Sequence, residues 1–385
     1  MTTTAPPGLT YAMIGGGTGS FIGGVHRMAI ALDGTAKLVA GAFSSTAERS
    51  KESAAALGVD AERAYADFNE LAERESQRDD RPDFVVIVTP NHVHYEAAKA
   101  CLEAGLRVVC DKPFTLTSAQ AAELRDLAAA KDLLCAVTYN YSGYPMVREA
   151  AELVRSGAIG NVRKCFVEYH QGWLSTDLAS TGQKQAAWRA NPAKAGLGGA
   201  LGDIGTHAEH LLRFVTGLEI ESLCADTTSF VPGRLLDDDA SVLMRLSGGA
   251  KATLTASQIC VGEANGLSIR IYGESGGLVW RQETPEQLVR TAMDGSKTIL
   301  CRGIEPLSSR ASTASRLPSG HPEGFIEAFA NIYRGVAEHL HAERTSSAPG
   351  GLTLQLPLAE DGRRGVRFVE ACVESAKANS TWVVL

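Results

Sequence analysis

Leu9-Thr-Tyr-Ala-Met-Ile-Gly-Gly-Gly-Thr-Gly-Ser20 joins a short apolar run to a dense run of glycines. Residues Leu9–Ile14 predict a buried strand, and Phe21–Leu32 after the glycines predicts a helix. A glycine loop between a strand and a helix is typical of dinucleotide binding, because the pyrophosphate then lies over the helix N-terminus. The spacing is imperfect, since Gly15-x-Gly17 is followed by Gly23, three residues later than the usual pattern requires.

The alternation of strand and helix signals continues to about residue 140. Near-continuous apolar runs such as Phe84–Val88 indicate strands buried on both faces. This pattern predicts a parallel sheet with helices on both sides. Ligands of such sheets bind at the carboxyl ends of the strands, where we expect four loops to converge: 15–23, 89–92, 111–113 and 139–144.

After residue 140 the pattern changes to strands joined by short turns. Strands are predicted at Val162–Tyr169, Ile220–Phe230, Ser241–Leu246, Ala252–Ile259, Leu267–Tyr272 and Gly277–Trp280. They favour a large, mostly antiparallel sheet with one open face, and because that face needs cover we expect a homo-oligomer, a dimer or a tetramer. The sequence therefore predicts an α/β domain over residues 1–140 and an α+β domain over 141–385, with residues 302–320 as a loop or lid.

Composition argues against several classes of function. The 385 residues are 44% hydrophobic and 21% charged with a net charge of −7, as in an ordinary soluble globular protein. No block of lysine or arginine indicates nucleic acid, and no apolar run reaches the length of a membrane span. The N-terminus lacks the features of a signal peptide and the cysteines are scattered, so we expect free thiols and a cytoplasmic protein.

A second glycine-rich stretch, Gly196–Gly205, leads into an amphipathic segment that ends at Gly217. If a helix begins near Asp203, the carboxylate of Asp203 and the imidazole of His207 lie on one face of its first turn. Such a pair is suited to general acid–base work. An equally open interpretation is that Asp203 only caps the helix and His207 packs beneath it. His207 and His210 have no third ligand nearby in the sequence, so no metal is expected.

These motifs resemble those of the glucose–fructose oxidoreductase, inositol dehydrogenase and rhizopine-catabolism (Gfo/Idh/MocA) family. The resemblance runs from Ile14 to about Val384, and its anchors are Gly15–His26, Thr89-Pro-Asn-His92, Asp111-Lys112-Pro113 and Gly198–His207. It implies a Rossmann-type domain followed by an open-faced α+β domain. It also implies a pyridine-nucleotide oxidoreductase that acts on a sugar, an inositol or a related small molecule.

Carried over residue by residue, the resemblance implies a catalytic group of Lys112, Asp203 and His207. The chemistry suits these residue types: His207, oriented by Asp203, takes the hydroxyl proton while Lys112 holds the substrate oxygen. The same resemblance implies that Thr89–His92 and the Trp188-Arg189 pair line the cofactor. Together with the glycine loop and the neighbouring strand ends, the candidate cofactor residues are Gly15, Gly17, Thr18, Ser20, Phe21, Ile22, Ser44, Ser45, Arg49, Thr89, Pro90, Asn91, His92, Asp111, Lys112, Asn140, Trp188 and Arg189.

Other polar and aromatic side chains are candidates for substrate contacts, since they supply hydrogen bonds or a stacking face for a sugar ring. Besides the catalytic group they are Tyr141, Tyr144, His170, Gln171, Trp173 and His321. For each of them, ordinary packing or loop structure is an equally open explanation.

Two departures from the family's pattern affect the predicted contacts. Where an NAD-specific fold places an acid at the end of the second strand, this chain has Phe43-Ser-Ser-Thr46. Ser44, Ser45 and Arg49 suit NADP, yet hydroxyls also hold NAD, so the choice between the two cofactors stays open. Many relatives carry Asn-x-Arg where this chain has Asn140-Tyr-Ser142, which puts the usual contact from that loop in doubt.

Three functions stay open on the sequence. An NAD(P)-dependent dehydrogenase of a polyol, sugar or glycoside is favoured. The alternative is a redox-neutral epimerase or glycoside-cleaving enzyme that retains its NAD. Such an enzyme would keep its nucleotide and show no net turnover of added cofactor, which would distinguish it from a dehydrogenase. A non-catalytic nucleotide-sensing regulator is the weakest, because a sensor has no use for the proton-transfer group His207.

Overall fold

The computed structural model describes residues 8–178, 180–183, 188 and 191–385. Its α-helices in these ranges are α1 Phe21–Leu32, α2 Ala47–Ala56, α3 Phe68–Ser76, α4 Asn91–Glu103, α5 Ser118–Ala130, α6 Pro145–Arg155, α7 Pro192–Ala195, α8 Thr206–Thr216, α9 Ser309–Ala314, α10 Phe325–Thr345 and α11 Ala359–Lys377. Its strands are β1 Leu9–Gly15, β2 Ala36–Ala42, β3 Phe84–Val88, β4 Val108–Cys110, β5 Cys135–Val137, β6 Val162–His170, β7 Ile220–Thr228, β8 Asp239–Leu246, β9 Lys251–Ser257, β10 Gly266–Gly273, β11 Gly276–Arg281, β12 Gln287–Ala292, β13 Lys297–Cys301 and β14 Val383–Val384.

The chain divides into two compact units, and one segment falls outside the predicted division. The first unit ends at Asn140 but also contains Phe325–Arg363, which the sequence analysis placed in the second domain. The reason is burial: Phe329 and Tyr333 of α10 lie in the same hydrophobic core as Val25 and Ile30 of α1. An apolar helix face is stabilised where it finds an apolar partner, and chain order does not restrict that choice.

The first unit is built on a five-stranded parallel sheet with strand order β2-β1-β3-β4-β5. All five residues of β3 are buried, as the continuous apolar run predicted. The order reverses between β1 and β3, and ligands of open parallel sheets bind at the carboxyl edge near such a reversal. The predicted α/β class is confirmed for this part of the chain.

The second unit contains a nine-stranded sheet, in the order β13-β12-β11-β10-β6-β9-β8-β7-β14. Its pairs are antiparallel apart from β6 and β9, which run parallel, so the predicted mostly antiparallel sheet is confirmed. Two strands, β12 and β13, lie in a region where the sequence analysis predicted none. Asp294-Gly295 between them is a favoured hairpin turn and was the available signal.

The segment 302–320 is held to neighbouring residues by hydrogen bonds and ion pairs. Arg302 is buried, and its guanidinium donates to Glu323 Oε1 at 3.0 Å, to Glu286 Oε1 at 2.6 Å and to the carbonyl of Leu317 at 2.6 Å. The segment contains α9, and the Ser308 amide just before it donates to Glu149 Oε2 at 2.8 Å. Because these bonds hold both ends of the segment, the interpretation as a lid gains no support.

All eight cysteines are free, and five of them are buried. In the part of the chain that the structure describes, no helix combines the length and the hydropathy needed to cross a membrane.

Candidate functional site

The glycine loop of the first unit is shaped by close packing. Gly15 and Gly16 have φ values of 78° and 70°, which favour glycine. A Cβ on Gly17 would lie 2.6 Å from Ser53 Oγ, and a Cβ on Gly23 would overlap the Cα of Gly16. Gly23 therefore allows the close packing of loop and helix that the third glycine of the usual motif allows, but it lies one helical turn later in α1. Ser20 caps α1 by accepting from the Gly23 amide at 3.2 Å.

Two buried polar atoms at the carboxyl edge of this sheet test whether a nucleotide fits. Thr89 Oγ1 follows β3 and Asn140 Nδ2 follows β5, and neither has a hydrogen-bond partner within the described residues. Buried polar atoms are normally satisfied, so a ligand with polar groups is the expected partner. Thr89 as a whole residue is half-buried. Among the other candidates here, Asn91 is buried, Ile22 is half-buried, and Phe21, Pro90 and His92 are exposed. The residues present fit a dinucleotide.

The end of β2 is joined to the glycine loop through backbone contacts. The Gly17 amide donates to the Phe43 carbonyl at 3.2 Å, and the Thr18 amide donates to Ser53 Oγ at 3.2 Å. Thr18 therefore ties the loop to α2. Ser44 is half-buried, while Ser45 and Arg49 are exposed.

The Asp111 carboxylate organises the loop that carries Lys112. Asp111 Oδ1 accepts from the Lys112 amide at 2.8 Å and from the Thr138 hydroxyl at 2.9 Å. The Asp111 amide donates to the Ile87 carbonyl at 2.9 Å, so the loop is joined to both neighbouring strands. These contacts hold the backbone of Lys112 at the strand end, and Asp111 acts as a support for it.

His94 is a buried residue that the sequence analysis did not select. Its Nδ1 lies 2.8 Å from the Pro113 carbonyl oxygen and its Nε2 lies 2.9 Å from the Thr89 carbonyl oxygen. The ring thus bridges the loop after β3 and the loop after β4. Burial lowers the pKa of His94, so the ring is neutral near pH 7 and has one N–H to donate. His94 could have been selected from the sequence, because it lies three residues after Asn91 and therefore on the same, inner face of α4.

In the second unit, the turn that carries Asp203 differs from the prediction. The chain makes one π-helical turn over Leu201–Gly205 before α8, so Asp203 lies inside a helical turn and does not cap it. The cap is Asp237, whose carboxylate accepts from the Gly199 amide at 2.7 Å and from the Leu201 amide at 2.8 Å. The interpretation of Asp203 as a cap is therefore wrong.

The Asp203 carboxylate accepts a hydrogen bond from a buried amide. Gln258, directly after β9, donates from Nε2 to Asp203 Oδ2 at 2.9 Å. The same Nε2 lies 3.5 Å from Oε1 of Gln171, which also accepts from Trp173 Nε1 at 2.9 Å. Of these side chains, the sequence analysis selected Gln171 and Trp173 and missed Gln258.

His207 on α8 lies against two buried tyrosines. The ring of Tyr141 meets the His207 ring edge to face, with centroids 4.7 Å apart, and the Tyr169 ring lies 6.3 Å away. The Tyr169 hydroxyl donates to Asn265 Oδ1 at 2.7 Å and lies 2.5 Å from the Tyr141 hydroxyl, which accepts from Asn265 Nδ2 at 3.1 Å. Burial raises the pKa of Tyr141, and it raises that of Tyr169 well above its usual range. Both hydroxyls are therefore neutral donors near pH 7.

The remaining substrate candidates are placed differently. His170 follows Tyr169 in β6, and successive strand residues point to opposite faces, so His170 lies on the other side of the sheet, 2.8 Å from Thr255 Oγ1. Tyr144 packs on Trp280 and accepts from Gln282 at 3.3 Å. His321 is exposed directly after the segment 302–320, and its carbonyl accepts from the Arg302 guanidinium at 2.5 Å.

The predicted Trp-Arg pair lies partly outside the described residues. Trp188 is half-buried and its carbonyl accepts from the Asn191 amide at 3.2 Å, whereas Arg189 lies outside the described residues. Over the residues given structural positions, no group of three or more His, Cys, Asp or Glu side chains is arranged to hold a metal ion.

Comparison with protein families matches both halves of the chain. Residues 9–139 match the family described as "Oxidoreductase family, NAD-binding Rossmann fold", and residues 147–279 match the Gfo/Idh/MocA C-terminal domain. The glycine loop and the residues around Lys112 fall in the first match, and Asp203, His207 and Gln258 fall in the second.

Individual relatives agree with the family match. The chain is 37% identical to the uncharacterized oxidoreductase YfiI of Bacillus subtilis (strain 168), over 97% of this chain and 96% of the relative. It is 28% identical to levoglucosan dehydrogenase of Pseudarthrobacter phenanthrenivorans, over 85% of this chain and 86% of the relative. It is 36% identical to an inositol dehydrogenase homolog of Azotobacter vinelandii solved with NADH and myo-inositol, at a TM-score of 0.90 and covering 98% of this chain and 97% of that one. The chain therefore belongs to the Gfo/Idh/MocA family of oxidoreductases, whose first domain is an NAD-binding Rossmann fold.

Proposed function

We propose that the chain is an NAD-dependent dehydrogenase that oxidises one secondary hydroxyl of an uncharged cyclic polyol or sugar. The observation that carries the proposal is the buried surrounding of His207, where Tyr141, Tyr169 and Asn265 form a neutral hydrogen-bonding group. Phenol and amide groups hydrogen-bond to hydroxyls without requiring a charge on the ligand. The two relatives named for a substrate, or solved with one, act on levoglucosan or bind myo-inositol, and both compounds are uncharged and cyclic.

The proposed reaction assigns a separate task to each catalytic residue. His207 takes the proton of the substrate hydroxyl, and Asp203 orients and stabilises the imidazolium that forms. Lys112, held by the Asp111 carboxylate at its own amide, donates a hydrogen bond to the substrate oxygen as negative charge develops on it. When bound, NAD accepts the hydride from the carbinol carbon, so that the products are a ketone, NADH and one proton.

The residues of the first unit are proposed to hold the nucleotide. The glycine loop and the N-terminus of α1 suit the pyrophosphate. Thr89 Oγ1 and Asn140 Nδ2 offer hydrogen bonds beside the strand ends. We propose NAD over NADP because the inositol dehydrogenase homolog was solved with NADH, and because Arg49 is the single cation among the three candidates at the end of β2.

A panel of substrates tests the proposal. Purified protein is mixed with NAD or NADP and with myo-inositol, levoglucosan, free hexoses or aryl glucosides, and the absorbance of reduced nicotinamide is followed. We expect turnover with NAD and a cyclic polyol or sugar, and a loss of at least about 100-fold in kcat for Lys112→Ala and His207→Ala. Arg163→Ala on the exposed face of β6 serves as the control and should keep the wild-type rate.

Other outcomes would contradict the proposal in distinct ways. Nucleotide that is released only on denaturation, together with no net reduction of added NAD, would favour the redox-neutral epimerase or glycoside-cleaving reaction. Turnover that survives Lys112→Ala and His207→Ala would remove the assigned catalytic roles. Turnover with NADP alone would overturn the cofactor choice.

We also propose that the chain forms a homo-oligomer in a reducing, cytoplasmic location. Apolar side chains such as Leu243, Tyr272 and Ile299 are exposed on strands of the nine-stranded sheet, and such surfaces favour association. All eight cysteines are free thiols, which suits a reducing compartment. Light scattering of the purified protein tests the first point, and a monomer at micromolar concentration would contradict it.

A further inference from the structure

Gln258 is a buried side chain whose environment fixes its position. It is 2% exposed. The backbone amide of Gln258 donates to the Asp238 carbonyl at 2.9 Å, and the backbone carbonyl of Gln258 accepts from the Leu174 amide at 3.1 Å. Asp238 in turn accepts from two backbone amides and from Arg234. The side chain of Gln258 therefore extends from a backbone that neighbouring segments hold on both sides.

The same short segment also fixes the turn that carries Asp203. Asp237 accepts from the amides of Gly199 and Leu201, at the start of the π-helical turn. Its carbonyl accepts from the Ala200 amide at 2.9 Å. Asp237 thus holds the backbone of the turn in place, and Asp238 holds the backbone of Gln258, which donates to the Asp203 side chain. Both ends of the Gln258–Asp203 hydrogen bond depend on two consecutive residues.

The direction of this hydrogen bond has a chemical consequence. The Gln258 Nε2 group can only donate, and the oxygen of Asp203 that it reaches can accept most strongly when the carboxylate is ionised. A hydrogen bond to the charged form of an acid stabilises that form. An amide does not titrate, so this support is independent of pH. Gln258 also restricts the rotation of the Asp203 side chain, since it binds one specific oxygen.

The surroundings of Asp203 make such support useful. Among the described residues, the titratable groups near this turn include His207 on α8, Tyr141 after Asn140, Tyr169 on β6 and Asp237 before β8. Burial, with a smaller contribution from the charge of Asp203, raises the pKa of Tyr141 and Tyr169, so both remain neutral. The tyrosines therefore supply no compensating positive charge. A neutral donor on Asp203 favours the ionised carboxylate without competing for the His207 proton.

We propose that Gln258 is a positioning residue for the dehydrogenase reaction, holding Asp203 ionised and in a single orientation through its side-chain amide. This inference rests on the proposed function, in which Asp203 acts on His207. It assigns Gln258 no contact with substrate. In this proposal its effect on the reaction passes through the Asp203 carboxylate.

Two variants separate this role from simple packing. Gln258→Leu removes the donor with little change in volume, and Gln258→Glu keeps the shape and places a second carboxylate against Asp203. Gln282→Leu is the matched control, because Gln282 is a glutamine of the same unit that donates to the Tyr144 hydroxyl instead. Circular dichroism and the unfolding midpoint verify that each variant is folded.

The first measurement needs no substrate. The protein is labelled with ¹³C at aspartate carboxyl carbons, the Asp203 signal is assigned by its loss in Asp203→Asn, and the signal is titrated with acid. Loss of a hydrogen bond to a charged group should raise the midpoint of the Asp203 titration by about 1 to 2 pH units in Gln258→Leu. A larger rise is expected in Gln258→Glu, and none in Gln282→Leu. An unchanged midpoint in folded Gln258→Leu would overturn the proposal.

The second measurement uses the substrate that gives the highest turnover in the panel. We expect kcat to fall about 10- to 100-fold in Gln258→Leu with KM little changed, and the acid limb of kcat/KM to move to higher pH. If Asp203→Asn retains full turnover, the proposed function fails while the titration still reports on Gln258. If Asp203→Asn is inactive and Gln258→Leu has a wild-type pH profile, the role of Gln258 fails and the proposed function stands.

Discussion

Gly23 in α1 lies directly against the Cα of Gly16 in the preceding loop, and no space is left for a Cβ on Gly23. The contact brings the start of the helix close to the glycine loop after β1. Gly24, the next residue, has no atom within 4 Å of the position that a Cβ would occupy. Two adjacent glycines of one helix therefore have opposite structural requirements.

This difference predicts opposite effects of the same substitution. Gly23→Ala should lower the free energy of unfolding by about 1 to 3 kcal/mol, because the loop must move away from the helix. It should also weaken NADH binding. Gly24→Ala should be neutral or stabilise the protein by up to about 1 kcal/mol, since alanine favours a helix. Urea unfolding and NADH fluorescence titration measure both effects, and equal behaviour of the two variants would contradict the packing described.

His26 predicts how stability depends on pH. It is fully buried, its Nδ1 lies 2.5 Å from the Tyr333 hydroxyl, and burial lowers its pKa to about 4. In the unfolded chain a histidine takes a proton near pH 6.5, so the unfolded state binds more protons between about pH 6.5 and 4. The free energy of unfolding should therefore fall as the pH falls through this range, by up to about 1.4 kcal/mol per pH unit from this residue.

Urea unfolding at pH 7, 6 and 5 measures that slope. His26→Gln should reduce the slope in this window, whatever its effect on stability at pH 7. His341→Gln, at an exposed histidine of α10, is the control and should leave the slope unchanged. His94, whose pKa burial also lowers, contributes with the same sign and remains in every variant. An unaltered slope in His26→Gln would show that His26 takes up a proton equally in both states.

His94 predicts a link between two loops and nucleotide binding. Its ring reaches the carbonyl oxygens of Thr89 and Pro113, so His94→Leu should release the two loops from each other. With about one hydrogen bond lost, we expect NADH to bind about tenfold more weakly. Tyr95→Phe, which alters the neighbouring residue on the outer side of α4, should bind NADH as the wild type does. NADH affinity unchanged in folded His94→Leu would contradict a role for this bridge.

The architecture could be predicted from the sequence because apolar runs and glycines are local signals for strands, helices and turns. Apolar runs such as Phe84–Val88, and the glycines that end the segments between them, predicted the parallel sheet and most strands of the second sheet. The hairpin of β12 and β13 was missed because its strands are short and largely exposed, although Asp294-Gly295 marked the turn. The membership of α10 in the first unit depends on a core formed with α1, about 300 residues away, which no local pattern reports.

The residues around Asp203 were predicted less well, for a physical reason. Asp237 and Gln258 act through hydrogen bonds to residues 36 and 55 positions away. Such contacts are set by the sheet and leave no periodic pattern in the sequence. Tyr169 could have been predicted from the sequence, because it shares a strand face with Cys165, which the alternation in β6 marks as core. The selected His170 lies on the opposite face.

Transfer of deuterium is the measurement that tests the proposed dehydrogenase most directly. The protein is incubated with NAD and with myo-inositol or levoglucosan deuterated at the ring carbons that bear hydroxyls, and the reduced nucleotide is analysed by mass spectrometry. The account predicts NADH one mass unit heavier with the wild type and none above background with Lys112→Ala. Unlabelled NADH, or labelled NADH formed equally by Lys112→Ala, would contradict hydride transfer from a secondary carbinol by the assigned residues.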